Sequence, residues 1–177
     1  MDVLDHPTKQ MMIELNQICD TGGRFCGTES EVTARLLLAD LGKKATGVDC
    51  EFEWINYLGW KVLEEKLNLQ NSDVLECFAL VRSPSTADAG LTAEVIDLGR
   101  GTQEQFESNR NEINGRIVLV RHEVMFSSDT IHRRVKLQAA IDAGAVGFLI
   151  AGRKPDLAVV GSSMREGSAG IPAAGIS

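Results

Sequence analysis

Nowhere in the 177 residues of this chain do about 18 apolar residues run together, so nothing in it reads as a membrane-spanning helix. Positive charge is scarce, with 18 Lys and Arg against 25 Asp and Glu and a formal net charge of −7. That balance argues against nucleic acid as the main partner. Histidine is limited to His6, His122 and His132, and no H-E-x-x-H helix occurs: His122-Glu123 is followed by Val124, Met125 and Phe126. The converging donors of a zinc hydrolase are missing. The four cysteines, Cys19, Cys26, Cys50 and Cys77, include no C-x-x-C pair and do not gather near histidine, which argues against a structural zinc site. They read as free, mostly buried thiols of a reducing compartment, with a Cys19–Cys26 disulfide as the alternative. No G-x-S-x-G nucleophile elbow is present. At Gly99 and Gly101 a glycine-rich turn lies between a strand and a helix, but Glu104 stands where the third glycine of a dinucleotide fingerprint belongs. The turn therefore reads as the entry to a capped helix. The opening "MDVLDHPTKQ" is polar and acidic, not a signal peptide. As written the chain reads as cytoplasmic, or as secreted or periplasmic where a leader has been removed.

What is present is ordinary globular material, 44% hydrophobic and 24% charged, enough for a core. Met11, Leu15 and Ile18 recur at helical spacing over 8–20, which predicts an amphipathic helix. Thr28 with Glu31 forms a capping-box pattern for a second helix over 28–42, with Gly42 as its stop. "VDCEFEW" (48–54) alternates strictly and predicts a half-buried strand. A short helix is expected around Trp60, Leu63 and Leu67, then strands in "VLECFALV" and "AEVIDLG", separated by a loop at 82–91. Thr102 and Gln105 cap another short helix, and Asn114-Gly115 turns into the strand "RIVLVRH". The helix that follows places Ile131, Val135, Ala139 and Ala143 on a narrow face suited to a sheet. "VGFLIAG" is a strand covered on both faces, and Pro172 holds the last apolar segment to a strand start or an edge. The stretch 161–170 reads as a surface loop. Arg24 and Arg35, and the run Arg133, Arg134 and Lys136, read as solvated faces, the run also being able to meet an acidic partner.

The ordered set formed by "NGRIVLVRH", Lys136, Ala140, Ala143-Gly144-Ala145, Gly147 and Ile171-Pro172-Ala173 resembles a protease-associated (PA) domain. Small residues let the helix lie close on the strand, and Gly144 ends it at positive φ. The resemblance covers about residues 73–177 and implies an α+β fold of the swivelling β/β/α type. Upstream, "GGRFCGTESEVTARLLLADLG", with Arg24, Gly27 and Thr28 at an R-x-x-G-[ST] loop, resembles the opening of the two-zinc aminopeptidase and glutamate-carboxypeptidase-like family. There a PA domain is inserted into the peptidase domain, and the zinc ligands begin at an H-x-D strand end beyond the insert. No H-x-D occurs here, so the resemblance assigns no catalytic residue and no metal ligand to any position. It implies two amphipathic helices of the peptidase domain in 1–47 and the PA insert in 48–177. The catalytic domain and its two zinc ions would lie outside this chain. On this reading "GIPAAGIS" is the exit strand of the insert and the chain is a piece of a longer peptidase. Its expected partners are the remainder of the peptidase domain and, in the parent, peptide or protein substrates. Met11, Leu15, Ile18, Val32 and Leu36 would be left to fold back or self-associate. The alternatives are a stand-alone PA-type peptide- or protein-binding module and, last, a self-contained hydrolase using His122, Glu123 and His132.

Overall fold

The computed structural model describes residues 6–57, 59–71, 73–154, 159–163 and 170–177. Within the first of the chain's two compact units, Met1–Gly59, helix α1 spans His6–Asp20. Its last turn is closed by Thr21 Oγ1 and Arg24 Nη1, which donate to the Ile18 carbonyl at 2.7 and 2.8 Å. Helix α2 spans Glu29–Thr46 behind an N-cap at Thr28, whose hydroxyl accepts the Glu31 N–H at 3.2 Å. The Glu31 carboxylate reaches forward to Arg35 at 3.1 Å. Gly42 does not stop the helix. Glycine inside a helix costs about 1 kcal/mol relative to alanine, and the helix runs on to Gly47, whose φ of 75° and N–H bond to the Lys43 carbonyl make the true cap. Gly42 serves close approach instead: a Cβ there would lie 3.3 Å from Cys50 Sγ.

The alternating stretch 48–54 is not a strand. Alternation specifies two faces, but a strand also needs a partner for its backbone N–H and C=O groups, and none of the described residues pairs with it. The stretch lies along α2, with the Arg35 guanidinium 5.0 and 4.9 Å from the Phe52 and Trp54 rings, and the Tyr57 hydroxyl bonds the Cys26 carbonyl. The first compact unit runs on through this stretch to Gly59. Only Ala34 of this unit's described hydrophobic residues is buried. Cys19, Cys26 and Cys50 are free and exposed, and Cys77 of the second unit is half-buried. The expectation of mostly buried thiols fails because the first unit has so little interior, and no Cys19–Cys26 bond is formed.

The second unit, Trp60–Ser177, is built on a mixed sheet. No helix forms around Trp60, Leu63 and Leu67. Instead β1 (Leu67–Asn68) pairs antiparallel with β2 (Val74–Leu75). Five strands follow: β3 (Cys77–Ala79), β4 (Val95–Asp97), β5 (Ile117–Arg121), β6 (Gly147–Ala151) and β7 (Ala173–Ile176). Their order is β3-β7-β6-β5-β4, with β4 to β7 parallel and β3 antiparallel at one edge. Helices α3 (Gln103–Ser108) and α4 (Arg110–Ile113) connect β4 to β5, and α3 carries the full Thr102–Gln105 capping box. Helix α5 (Arg133–Asp142) is the crossover from β5 to β6. Val118, Val120, Phe148 and Ile150 from the sheet meet Phe106, Ile113, Leu137 and Ala140 in one core.

Of the stripe expected to face the sheet, Ala143 is in the core and Ala139 packs against it, but the buried face is centred elsewhere on α5. Lys136, Leu137 and Ala140 are buried, whereas Val135 is exposed. Ala143 is buried in both readings, beside Ala145. Gly144, at φ 82°, closes α5: its N–H bonds Ile141 O and the Ala145 N–H bonds Ala140 O, both at 3.0 Å. This is the Schellman arrangement, and a Cβ at Gly144 would lie 2.5 Å from Asn114 Oδ1. At Gly147 a Cβ would come within 3.0 Å of Leu91 Cδ2. Pro172 stands just before β7, where its missing N–H breaks no ladder bond and its carbonyl accepts the Phe148 N–H at 2.9 Å. Of the loop expected at 161–170, residues 164–169 lie outside the described residues. Its described start is fixed, since Ser163 N bonds Val81 O at 2.9 Å and Gly175 packs under the Val159 carbonyl.

Candidate functional site

The C-terminal ends of β5 and β6 and the first turn of α5 meet at one edge of the sheet, the edge where open α/β sheets bind ligands. Lys136, one turn into α5, is only 1% exposed. Its ammonium donates to the Arg121 carbonyl at 2.8 Å and to Glu123 Oε2 at 2.9 Å. Reading it as part of a solvated run is therefore wrong. It sits on the sheet-facing side of α5, and a lysine buried there needs a counter-charge. Arg100, from the turn after β4, binds the other Glu123 oxygen at 2.7 Å and the Asp129 carbonyl at 2.9 Å. The Ile131 N–H bonds Glu123 Oε2 at 3.1 Å. Burial alone would raise the Glu123 pKa. The bonds from Lys136, Arg100 and Ile131, with the Lys136 charge, outweigh it and hold the carboxyl at about 2.

Glu123 and Ile131 stand at the two ends of the 124–130 loop, so one carboxylate ties its base. Thr130 Oγ1 bonds the Val124 and Ser127 carbonyls, both at 2.9 Å. The loop presents Val124, Met125 and Phe126 outward. Phe126 is 98% exposed at φ 71°, a conformation that costs a bulky residue energy and collects at functional sites. Sequence reasoning missed both the ion-pair hub and this loop. The one available signal was the lysine within the helix pattern that the PA resemblance rests on.

The histidines do not converge on a site. His122 is half-buried, with a pKa lowered by burial and then by the charges of Arg133, Lys136 and Arg153. His132 caps α5, its Nδ1 accepting the Arg134 N–H at 3.1 Å. Among the described residues no three His, Cys, Asp or Glu side chains are grouped to hold a metal ion, and Glu123 is committed to two cations. The donors among the described residues do not fit a zinc pair.

The remaining signature residues hold backbone geometry. Gly27 takes φ 82° in the turn that brings the Thr28 N–H to the Phe25 carbonyl at 3.1 Å, and Arg24 braces the end of α1 as described. Neither they nor Ala140, Gly144, Ala145, Gly147 and Pro172 supply a reactive group.

The family model for the PA domain matches residues 78–177. The chain belongs to the PA domain family. The match takes in β3 to β7, the ion-pair hub and the helix–strand contact at Gly144. Over a longer span the fold is similar to that of a zinc aminopeptidase from Bacillus subtilis, in two structures. Identities are 23% and 24%, the TM-score is 0.67, and 95% of this chain and 38% of that one are covered. It is also similar to an aminopeptidase from an Aneurinibacillus strain, at 22% identity and a TM-score of 0.59, covering 92% of this chain and 37% of that one. At these identities the likeness is one of fold. This PA-domain chain spans less than two-fifths of the length of those aminopeptidases. No curated protein sequence matches it.

Proposed function

We propose that the chain is the PA-domain portion of a zinc aminopeptidase, non-catalytic by itself, which borders the active-site cleft and governs which substrates reach it. The observation that carries this reading is the first unit. Its helices and the 48–57 stretch carry Met11, Leu15, Val32, Leu36, Phe52 and Trp54 exposed, and an alternating stretch there runs unpaired. Such a surface is what elements of a larger domain look like when their partners are absent. The similarity to aminopeptidases extends over this unit as well as the PA domain. In the parent enzyme two zinc ions, held by residues outside this chain, would polarise the scissile carbonyl and activate water.

The 124–130 loop is the element of the PA domain best suited to border a cleft. It is apolar and exposed at its tip and fixed at its base. The test is made in the full-length peptidase. Phe126→Ser should leave kcat for a small aminoacyl chromogenic substrate unchanged and change KM for longer peptides several-fold. Equal KM values for wild type and variant across peptide lengths would remove the loop from substrate selection.

A further inference from the structure

A groove of about 900 Å³ runs between α3 and one flank of α5. It is lined by Phe106, Val135 and Ala139, and by the row Arg134, Gln138 and Asp142, which stack at i, i+4 and i+8 along the helix. Val135 is 60% exposed, so the apolar stripe of α5 is left open here rather than covered by the sheet. The helix also carries its charges against its own macrodipole. It has no acidic residue in its first turn and no basic one in its last; Arg134 stands in the first turn and Asp142 in the last, each near the end of like partial charge. The Asp142 carboxylate accepts only from the neutral Gln138 amide, at 2.8 Å, among the described residues. Glu107 and Arg110 line the same groove with opposite charges. Both are held locally, Glu107 by Gln103 at 2.7 Å and Arg110 by the Asp142 carbonyl at 2.9 Å.

We propose that α5 pairs with α5 of a second copy of this chain, antiparallel across a two-fold axis at Gln138, each helix lying in the other's groove. Arg134 and Asp142 stand four residues to either side of Gln138. An axis there sets Arg134 of each copy opposite Asp142 of the other, and both ion pairs form together, as an isologous contact requires. The antiparallel sense also brings the N-terminus of each helix beside the C-terminus of its partner, which answers the dipole mismatch that each helix carries alone. Val135 and Ala139 of the two copies meet between the charged ends, and the small Ala139 lets the helices approach. The charge pattern singles out this occupant. A uniformly acidic or basic partner would match one end of the row and repel the other, and a parallel copy would set like charges together. The pairing depends neither on the peptidase reading nor on the exposed face of the first unit.

The experiment is sedimentation equilibrium on the whole chain, on Arg134→Asp, on Asp142→Arg and on an equimolar mixture of the two variants. The expected result is a reversible wild-type dimer. Each single reversal sets like charges opposite each other at both contacts and should weaken the dimer by about tenfold or more. The mixture should restore it, because both contacts between unlike variants are again of opposite sign. Both positions are exposed and each reversal agrees with the helix dipole, so the circular dichroism of either variant should match that of wild type. Leu36→Glu, on the exposed face of the first unit, should leave the dimer intact. A monomeric wild type overturns the proposal. So does a dimer that neither reversal weakens, one that the mixture fails to restore, or one that Leu36→Glu abolishes.

Discussion

Glu123 carries more of the second unit's organisation than any other charged side chain described. Its carboxyl is lowered from its ordinary 4.5 to about 2 in the folded chain. A depressed carboxyl pKa adds stability that is fully present above the unfolded value and is lost as pH falls through the folded one. The contribution, on the order of 3 kcal/mol, is therefore expected to disappear between about pH 4.5 and pH 2, as read by urea midpoints across that range. Glu123→Gln keeps the shape but strips the buried Lys136 of its counter-charge, and should cost about 3 kcal/mol at neutral pH while flattening the acid dependence. A variant as stable as wild type at pH 7, with the same acid profile, would mean that the pair is not what holds the loop. None of this could be read from Lys136 alone. A lysine two residues from Arg134 in a polar stretch looks solvated until the helix is laid on the sheet, where Lys136, Leu137 and Ala140 are buried together.

At the scale of elements, legibility followed whether a segment's partner lay nearby in sequence. The Thr102–Gln105 cap, the Asn114-Gly115 turn, β5, β6 and the Gly144 stop were all readable, because each is decided within a few residues by capping, turn chemistry or a buried apolar run. The face of α5 was read only in part: Ala139 and Ala143 do pack on the core, but Val135 is exposed while Lys136, Leu137 and Ala140 are buried, a choice made by the sheet rather than by the helix's own periodicity. Gly42 misled for a similar reason, a close approach to Cys50 being invisible in a linear pattern. The strand expected at 48–54 failed for want of a partner, which is a different matter from weak propensity. Its backbone amides should accordingly exchange within seconds to minutes in the isolated chain, whereas those of β5 and β6 should be protected by orders of magnitude. Exchange as slow at 50–54 as in β6 would show that the stretch does pair, between copies of the chain, and would remove its unpaired state as support for a missing neighbour.

For the whole molecule, the PA resemblance settled what periodicity could not. Small residues at the helix–strand contact and the ordered segments from 78 onward identify the domain, whereas the cysteines, histidines and serines identify nothing. Apart from the lysine in the helix pattern, the same sequence held little sign of the ion-pair hub or of the Phe126 loop, since both depend on residues brought together from beyond β4, β5 and the start of α5. The central claim is that this chain is the non-catalytic part of an aminopeptidase. The most direct measurement is hydrolysis of a panel of aminoacyl chromogenic substrates by the purified chain with zinc in excess. The account predicts no turnover above buffer for any substrate. Zinc-dependent turnover that a chelator abolishes would contradict it, and would place a working metal site among residues that here bind one another.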